Sequence, residues 1–575
     1  MTSAYRKLFI WVVLAGLGLV FLIKPDFHRL ALVDYGISED VVTKVEFSWA
    51  DVVPSDKLEW TDCYSAHQCA RLNVPLNYSE PKGEKAIIAI TRYPAAVPVD
   101  SPLYRGPILF NPGGPGGSGV DLIAIAGSTF ARILGPEFDI IGFDPRGVAR
   151  SSPRVSFFET DMERAMWGNP SLKELNASSD ALGRFWARAQ VINRLVNERG
   201  SFQHINTDNT ARDMLQIVRA HGRERLQYWG FSYGSVLGAV FAAMFPDKVE
   251  RIVIDGVVDA ENYFDALWSN NLLDADKALQ TFFDGCFAAG PDGCSFWAPG
   301  VEAISRNLTA LYSHVRKHPI PLRTPLGYGL VDYDFLHTVI FVCLYSPQLT
   351  FSGLADALAA LARGEESLPV DLFPPSAVEC SCDPTEHQFD SVADSQVAII
   401  CNDGRAVPSG FDEAEKHYQM MAPTSSWGSL LASVRIMCSG WPDISKEHFQ
   451  GPVTGNTSNP ILVIGNTAGK RVPLVAKKMS TAFPESVVLT QDCPGHTSLA
   501  APSLCTWGYI RQYFLNGTLP DEGTVCPVLG SLFPDGKLQK QDSEQTVFFS
   551  AHREVLKAFR TVHSRSLVMK SNLLL

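Results

Sequence analysis

The stretch Leu226–Asp259, LQYWGFSYGSVLGAVFAAMFPDKVERIVIDGVVD, decides the architecture. "LQYW" is a short apolar run and predicts a buried strand. "SVLGAVFAAMFP" is rich in small apolar residues and predicts a helix packed closely on that strand. "RIVIDG" predicts a second strand. A strand, a helix and a strand in that order form a right-handed crossover unit of a parallel sheet. Between the first strand and the helix lies "GFSYG", Gly230–Gly234. A G-x-S-x-G there holds its serine in a strained backbone with the hydroxyl exposed, and its glycines let strand and helix approach. Ser232 is therefore the candidate nucleophile. The competing role, an ordinary helix N-cap serine, explains the residue but not its flanking glycines.

The same alternation continues outward. "KAIIAITRYP", "GPILFNPGG" and "FDIIGFDPRG" precede the stretch, and "PILVIGNT" and "SVVLTQDCPGH" follow it much later. An α/β core is predicted over 60–265, completed by 427–530. Residues 151–222 read as a small insertion. Residues 266–426 read as a helical lid insertion, with "DADKALQTFFDGC" and "LADALAALARGEE" as its clearest helices. It should lie over the carboxyl ends of the strands, where open α/β sheets bind ligands. The tail 531–575 offers a terminal helix and no evident chemistry.

A serine nucleophile needs a base and donors for the oxyanion. One donor is the backbone N–H of Tyr233. The other is predicted in the glycine-rich loop "ILFNPGGPGGSG", at Gly114, since Pro115 has no N–H. That loop contains neither phosphate-binding pattern, G-x-x-x-x-G-K-[ST] or G-x-G-x-x-G. The base should follow the last strand, which selects His496 in "SVVLTQDCPGHTS". No spacing suggests a metal, and no cofactor is predicted.

The 575 residues carry a formal net charge of −12 without a basic patch, which argues against a nucleic-acid partner. Leu8–Ile23 is an uncharged apolar run of 16 residues, a signal segment or an uncleaved membrane anchor within residues 1–24. The absence of a small-x-small cleavage site favours the anchor. Twelve cysteines include the close pairs Cys63/Cys69, Cys286/Cys294 and Cys380/Cys382, and the first two pairs suggest short-loop disulfides. Sequons stand at Asn77, Asn176, Asn307, Asn456 and Asn516. Together these predict a chain of the secretory pathway, membrane-anchored or secreted.

"NPGGPGGSG", "FDIIGFDPRGVARSSP", the Leu226–Asp259 stretch and "CPGHTSLAAPSLCTWGYIRQYFLNGTLPDEGTVC" together resemble the tripeptidyl aminopeptidase and proline iminopeptidase group of α/β-hydrolases. The resemblance runs from about Cys63 to Cys526. It implies an α/β-hydrolase fold with a helical lid and a serine exopeptidase activity on peptides, or a fungal hydrolase descended from one. It also implies an aspartate five residues into Gly-Asn-Thr-x-Asp-Pro. This chain reads "GNTAGKRVP", with Gly469 at that place. Losing the acid costs on the order of 10⁴-fold in turnover. Asp259 is the first candidate replacement. Asp255 and Asp144 match structural aspartates of that group, and Asp492 lies close to His496 on the same loop. For an ammonium anchor the lid offers Glu365, Glu366, Glu379 and Asp383. Three readings follow: a serine hydrolase of peptides or of a small ester or amide, an impaired binding protein on the same fold, and a biosynthetic hydrolase or cyclase.

Overall fold

Ten strands form one sheet, described by a computed structural model covering residues 47–167, 173–200, 202–324, 327–365, 392–442, 448–468, 473–534 and 543–563. From Ser48 onward the chain is one unit. The apolar run Leu8–Ile23 lies outside the described residues, as do Gly469 and the pair Cys380/Cys382. Among the described residues, no helix is long and apolar enough to cross a membrane.

The strands are β1 (Thr61–Cys63), β2 (His67–Pro75), β3 (Lys85–Tyr93), β4 (Gly106–Asn111), β5 (Phe138–Phe143), β6 (Leu226–Phe231), β7 (Val249–Asp255), β8 (Ile320–Thr324), β9 (Gly327–Val331), β10 (Leu462–Asn466), β11 (Val487–Gln491) and β12 (Val525–Cys526). The large sheet runs β1-β2-β3-β5-β4-β6-β7-β10-β11-β12. β1, β2 and β3 pair antiparallel, as does β3 with β5, and the remaining pairs are parallel. The chain leaves β4 toward β5 on one side and returns to β6 on the other. That reversal opens a crevice at the carboxyl ends of β4 and β6, the usual ligand site of such sheets.

Side chains alternate across the sheet. Ile108, Phe110, Trp229, Phe231 and Val253 face one way, against helices Gly119–Leu134 and Leu504–Asn516. Leu109, Tyr228, Ile252 and Ile254 face the other way, against helices Thr207–Ala220 and Tyr233–Met244. The second cluster continues without a break into the insertion, through Phe282, Leu308, Phe335, Leu354 and Val397.

One segment differs from its sequence reading, and another, the tail, holds the expected terminal helix but buries it. In the region read as helical, Ile320–Thr324 and Gly327–Val331 pair antiparallel as β8 and β9. The segment read as a tail holds helix Ser543–His563, whose Val555, Leu556, Ala558 and Val562 are buried in the first cluster. Its Glu554 accepts bonds from Thr129 and Arg132 of helix Gly119–Leu134, at 2.6 and 2.8 Å.

Disulfides join Cys63 to Cys69 and Cys286 to Cys294, as the short spacings suggested. Two more join Cys401 to Cys438 and Cys505 to Cys526. Four such bonds among the described residues fit an oxidising, secretory or extracellular setting.

Candidate active site

β6 ends at Phe231 and helix Tyr233–Met244 begins two residues later, so Ser232 alone makes the turn. Its φ is 58° and ψ −122°. A non-glycine residue held there stores about 1–3 kcal/mol of strain. Bonds at both ends of the residue hold it: Ser232 N donates to Asp255 O at 2.9 Å, and Ser235 Oγ donates to Ser232 O at 2.5 Å. Gly230 is required for closeness, since a Cβ there would lie 2.3 Å from Gly234 O. As the first residue of the helix, Tyr233 has an N–H with no acceptor inside the helix.

The glycine loop after β4 lies directly against this turn. A Cβ on Gly113 would stand 2.3 Å from Phe231 O and 2.8 Å from Ser232 Cβ. Asn111 Oδ1 accepts from Gly113 N at 2.9 Å, and Gln396 Nε2 donates to Gly114 O at 3.0 Å. Ser118 caps the next helix and donates to Asp144 at 2.5 Å. Burial pushes the Asp144 carboxyl up to about 6 despite Arg150 beside it. Asp144 therefore braces the loop from below and does not enter the site.

His496 stands on the loop after β11. Its N–H donates to Tyr345 O at 2.9 Å, and the Tyr345 ring meets the imidazole edge-on at 5.1 Å between centroids. Asn466, at the end of β10, donates to the carbonyls of Gly495 and Thr497 at 2.9 and 2.7 Å. One amide thus grips the chain on both sides of the histidine. Thr467 Oγ1 donates to Asp492 at 2.9 Å. The "GNT" of the sequence is therefore the base on which the histidine loop sits.

The carboxylates of the neighbouring loops are committed elsewhere. Asp255 is fully buried and accepts from Ser498 N at 2.7 Å, Ser498 Oγ at 2.5 Å and Trp229 Nε1 at 3.3 Å. Burial raises it to about 6, against the lowering effect of those bonds. Asp259 was the first candidate replacement for the missing acid. It caps helix Ala260–Phe264 through Asn262 N, accepts from Asn270 at 2.8 Å, and takes Lys478 Nζ at 2.9 Å on each oxygen. Burial opposes its charge, but the bonds from Lys478, Asn270 and Asn262 hold its pKa below the ordinary value. Its bonds go to these groups and not to His496, because the N-cap geometry turns the carboxylate toward helix Leu474–Thr481.

Ser232, His496, Gly114 and Tyr233 line one cavity of about 260 Å³. Its far walls are mainly apolar, with Trp268, Leu273, Phe341, Leu344, Ile400 and Val434. Asp274 is the one carboxylate among its described lining residues, and it also pairs with Lys277. Of the four lid acids read from the sequence, Glu365 is exposed and bonds Arg363, and the other three lie outside the described residues. Among the sequons, Asn307, Asn456 and Asn516 are exposed. Asn77 is partly covered, and Asn176 is partly covered with its carbonyl held by Arg316.

Sequence reading missed Asn466, Gln396, Tyr345 and Asp274. The "GNT" directly after an apolar run was the one signal that could have pointed to Asn466.

Residues 106–291 match the family model described as alpha/beta hydrolase fold, and residues 422–526 match the one described as TAP-like protein. The chain has an α/β-hydrolase fold with a TAP-like C-terminal region, and its relatives are serine hydrolases and peptidases at distant identity. It is 27% identical over 559 residues to the serine protease Hip1 of Mycobacterium tuberculosis, covering 91% of this chain and 98% of that one. It is 26% identical over 486 residues to the tripeptidyl aminopeptidase of Streptomyces lividans, covering 82% and 86%. Carboxylesterase B of Mycobacterium tuberculosis is 27% identical over 465 residues, covering 80% and 86%.

Proposed function

We propose that this protein is a serine hydrolase that works through an acyl-enzyme and releases residues from peptide N-termini. The observation that carries the reading is the shared cavity: a serine in a left-handed turn and a histidine line it with Gly114 and Tyr233. In this reading His496 takes the Ser232 proton as the oxygen attacks the substrate carbonyl. The N–H groups of Gly114 and Tyr233 receive the oxyanion. His496 returns the proton to the leaving amine, and water then releases the acyl group by the same route.

The peptide assignment is supported by the similarity to a serine protease and a tripeptidyl aminopeptidase. The apolar walls suit uncharged side chains, and Asp274 is placed to receive a substrate ammonium. A free N-terminus then lies toward Asp274 and the scissile carbonyl toward Ser232. The disulfides support action in the secretory pathway or outside the cell, with Leu8–Ile23 as its signal or anchor. The test is hydrolysis of tripeptidyl anilides with free and acetylated N-termini, compared with short esters. Preference for the free amine, weakened by Asp274→Asn, supports the reading. Equal use of both peptides, or esters alone, contradicts it.

A second reading is an impaired hydrolase used chiefly for binding. It rests on Gly469, which stands where the resembling group has its acid. Gly469→Asp then raises kcat by up to about 10⁴-fold, the usual worth of a triad acid. An unchanged kcat in a folded variant contradicts this second reading.

A further inference from the structure

Helix Val392–Asp403 belongs to the insertion, yet its buried polar side chains reach into the core. Ser395 Oγ donates to Gly147 O at 2.5 Å. Gln396 holds the carbonyl of Gly114. Asn402 Nδ2 donates to Phe202 O and Ile205 O, both at 2.8 Å. Asp403 closes the helix and is fully buried. A helix held only by lid packing needs none of these bonds.

The partners of Asp403 form a chain that ends at the nucleophile turn. Thr207 N donates to Oδ1 at 2.8 Å, and Thr207 Oγ1 donates to Oδ2 at 2.5 Å. Tyr263 O–H donates to Oδ2 at 2.7 Å. The Tyr233 hydroxyl bonds Thr207 Oγ1. A carboxylate only accepts, so it fixes the direction of the hydroxyls: Tyr233 donates to Thr207, and Thr207 donates to Asp403. Tyr233, Thr207 and Tyr263 are buried, and the rings of Tyr233 and Tyr263 pack 5.7 Å apart. Satisfied networks of this kind hold a single arrangement, because each broken bond strands a buried partner.

We propose that helix Val392–Asp403 positions both oxyanion donors, Gln396 by gripping the carbonyl of Gly114, on the far side of that residue from its N–H, and Asp403 by anchoring the side chain of Tyr233 through Thr207. Asp403 and Thr207 are positioning residues; neither lines the cavity. Tyr233 is fixed at two ends, by the strained turn at its backbone and by its hydroxyl. Its N–H is thereby aimed before substrate arrives, and preorganisation is what gives such donors their catalytic worth. The lid thus does more than cover the site. A lid helix that shifts takes both donors out of line at once. The proposal rests on Ser232 as nucleophile.

The experiment uses the full chain with p-nitrophenyl butyrate for kcat and KM, and an alkyl boronic acid as a tetrahedral mimic. Thr207→Val removes the hydroxyl link at constant shape, Thr207→Ser retains it, and Asp403→Asn reverses one acceptor. Removing an oxyanion donor outright costs about 10²–10³-fold, so losing its aim should cost about 10- to 100-fold in kcat. We expect that loss in Thr207→Val and Asp403→Asn with KM within about twofold, the boronate weakened in parallel, and Thr207→Ser recovering most of kcat. If Asp403→Asn does not fold, Thr207→Val and Thr207→Ser decide alone. A kcat in Thr207→Val within twofold of wild type overturns the proposal. So does a loss in kcat with unchanged boronate affinity. If the wild type neither turns over ester nor takes a fluorophosphonate at Ser232, the nucleophile reading itself fails, which is a different result.

Discussion

The two halves of the site are built differently. The half around the proposed nucleophile, at the ends of β4 and β6, is shaped chiefly by close-packed backbone, with Asn111, Gln396 and Ser235 bonding to it. Its positions are set by where a Cβ cannot fit, at Gly113 and Gly230, and by one strained residue. The histidine half, at the ends of β10 and β11, is held largely by hydrogen bonds: the Asn466 side chain to two carbonyls, the Asp255 carboxylate to Ser498, and the backbone carbonyl of Tyr345 to the backbone N–H of His496. Backbone packing fails abruptly when any side chain is added. A hydrogen-bonded loop fails by degrees, and one of its members can be lost while the rest stays in place. In the sequence, Gly469, at the place of the expected acid, follows Asn466 of the second half by three positions.

Substitutions separate the halves. Ser232→Ala should lower kcat by at least about 10⁴-fold without changing the melting temperature, since only a hydroxyl is lost. An active Ser232→Ala variant breaks the comparison at its root. Gly230→Ala should be destabilising by more than about 3 kcal/mol, because the 2.3 Å contact is with backbone that cannot move aside. Denaturant unfolding measures it, and a loss under 1 kcal/mol contradicts a sterically built nucleophile half. Asn466→Ala should fold and should lower kcat about 10- to 100-fold, as two stranded carbonyls release the histidine loop. An unfolded Asn466→Ala protein erases the distinction between the halves.

The last effect is a pH dependence, spread over several pH units. Burial raises Asp255 to about 6, whereas in the unfolded chain it titrates near 4. Folding therefore takes up a proton between these values. The stability this group contributes is complete below about pH 4 and is lost as pH rises through about 6. The step is on the order of 3 kcal/mol at most. Asp255→Asn should flatten the fall in melting temperature between pH 4 and 7. An unchanged slope shows that the carboxyl ionises normally.

The sequence made the nucleophile half legible because that half is local. A strand, two glycines and a small-residue helix are contiguous from Leu226, and the oxyanion loop is one run of glycines. His496 was legible from its place after an apolar strand. Contacts between distant residues left no such mark. Gln396 bonds Gly114 across 282 positions, and Thr207 bonds Asp403 across 196. The Cys401–Cys438 bond closes 37 residues and could not be read from spacing. The surroundings of Asp259 were hidden for the same reason: Lys478, which bonds its carboxylate, lies more than two hundred residues away in sequence. The terminal helix was legible, but its packing was not, because its apolar face is meaningful only against helix Gly119–Leu134.

The central claim is that Ser232 is an activated nucleophile served by His496. Labelling of the full chain with a fluorophosphonate, read by peptide mass spectrometry, tests it most directly. The account predicts one modified residue, Ser232, and a labelling rate that drops at least about 100-fold in His496→Ala. Modification at any other residue, or equal rates in wild type and His496→Ala, contradicts it.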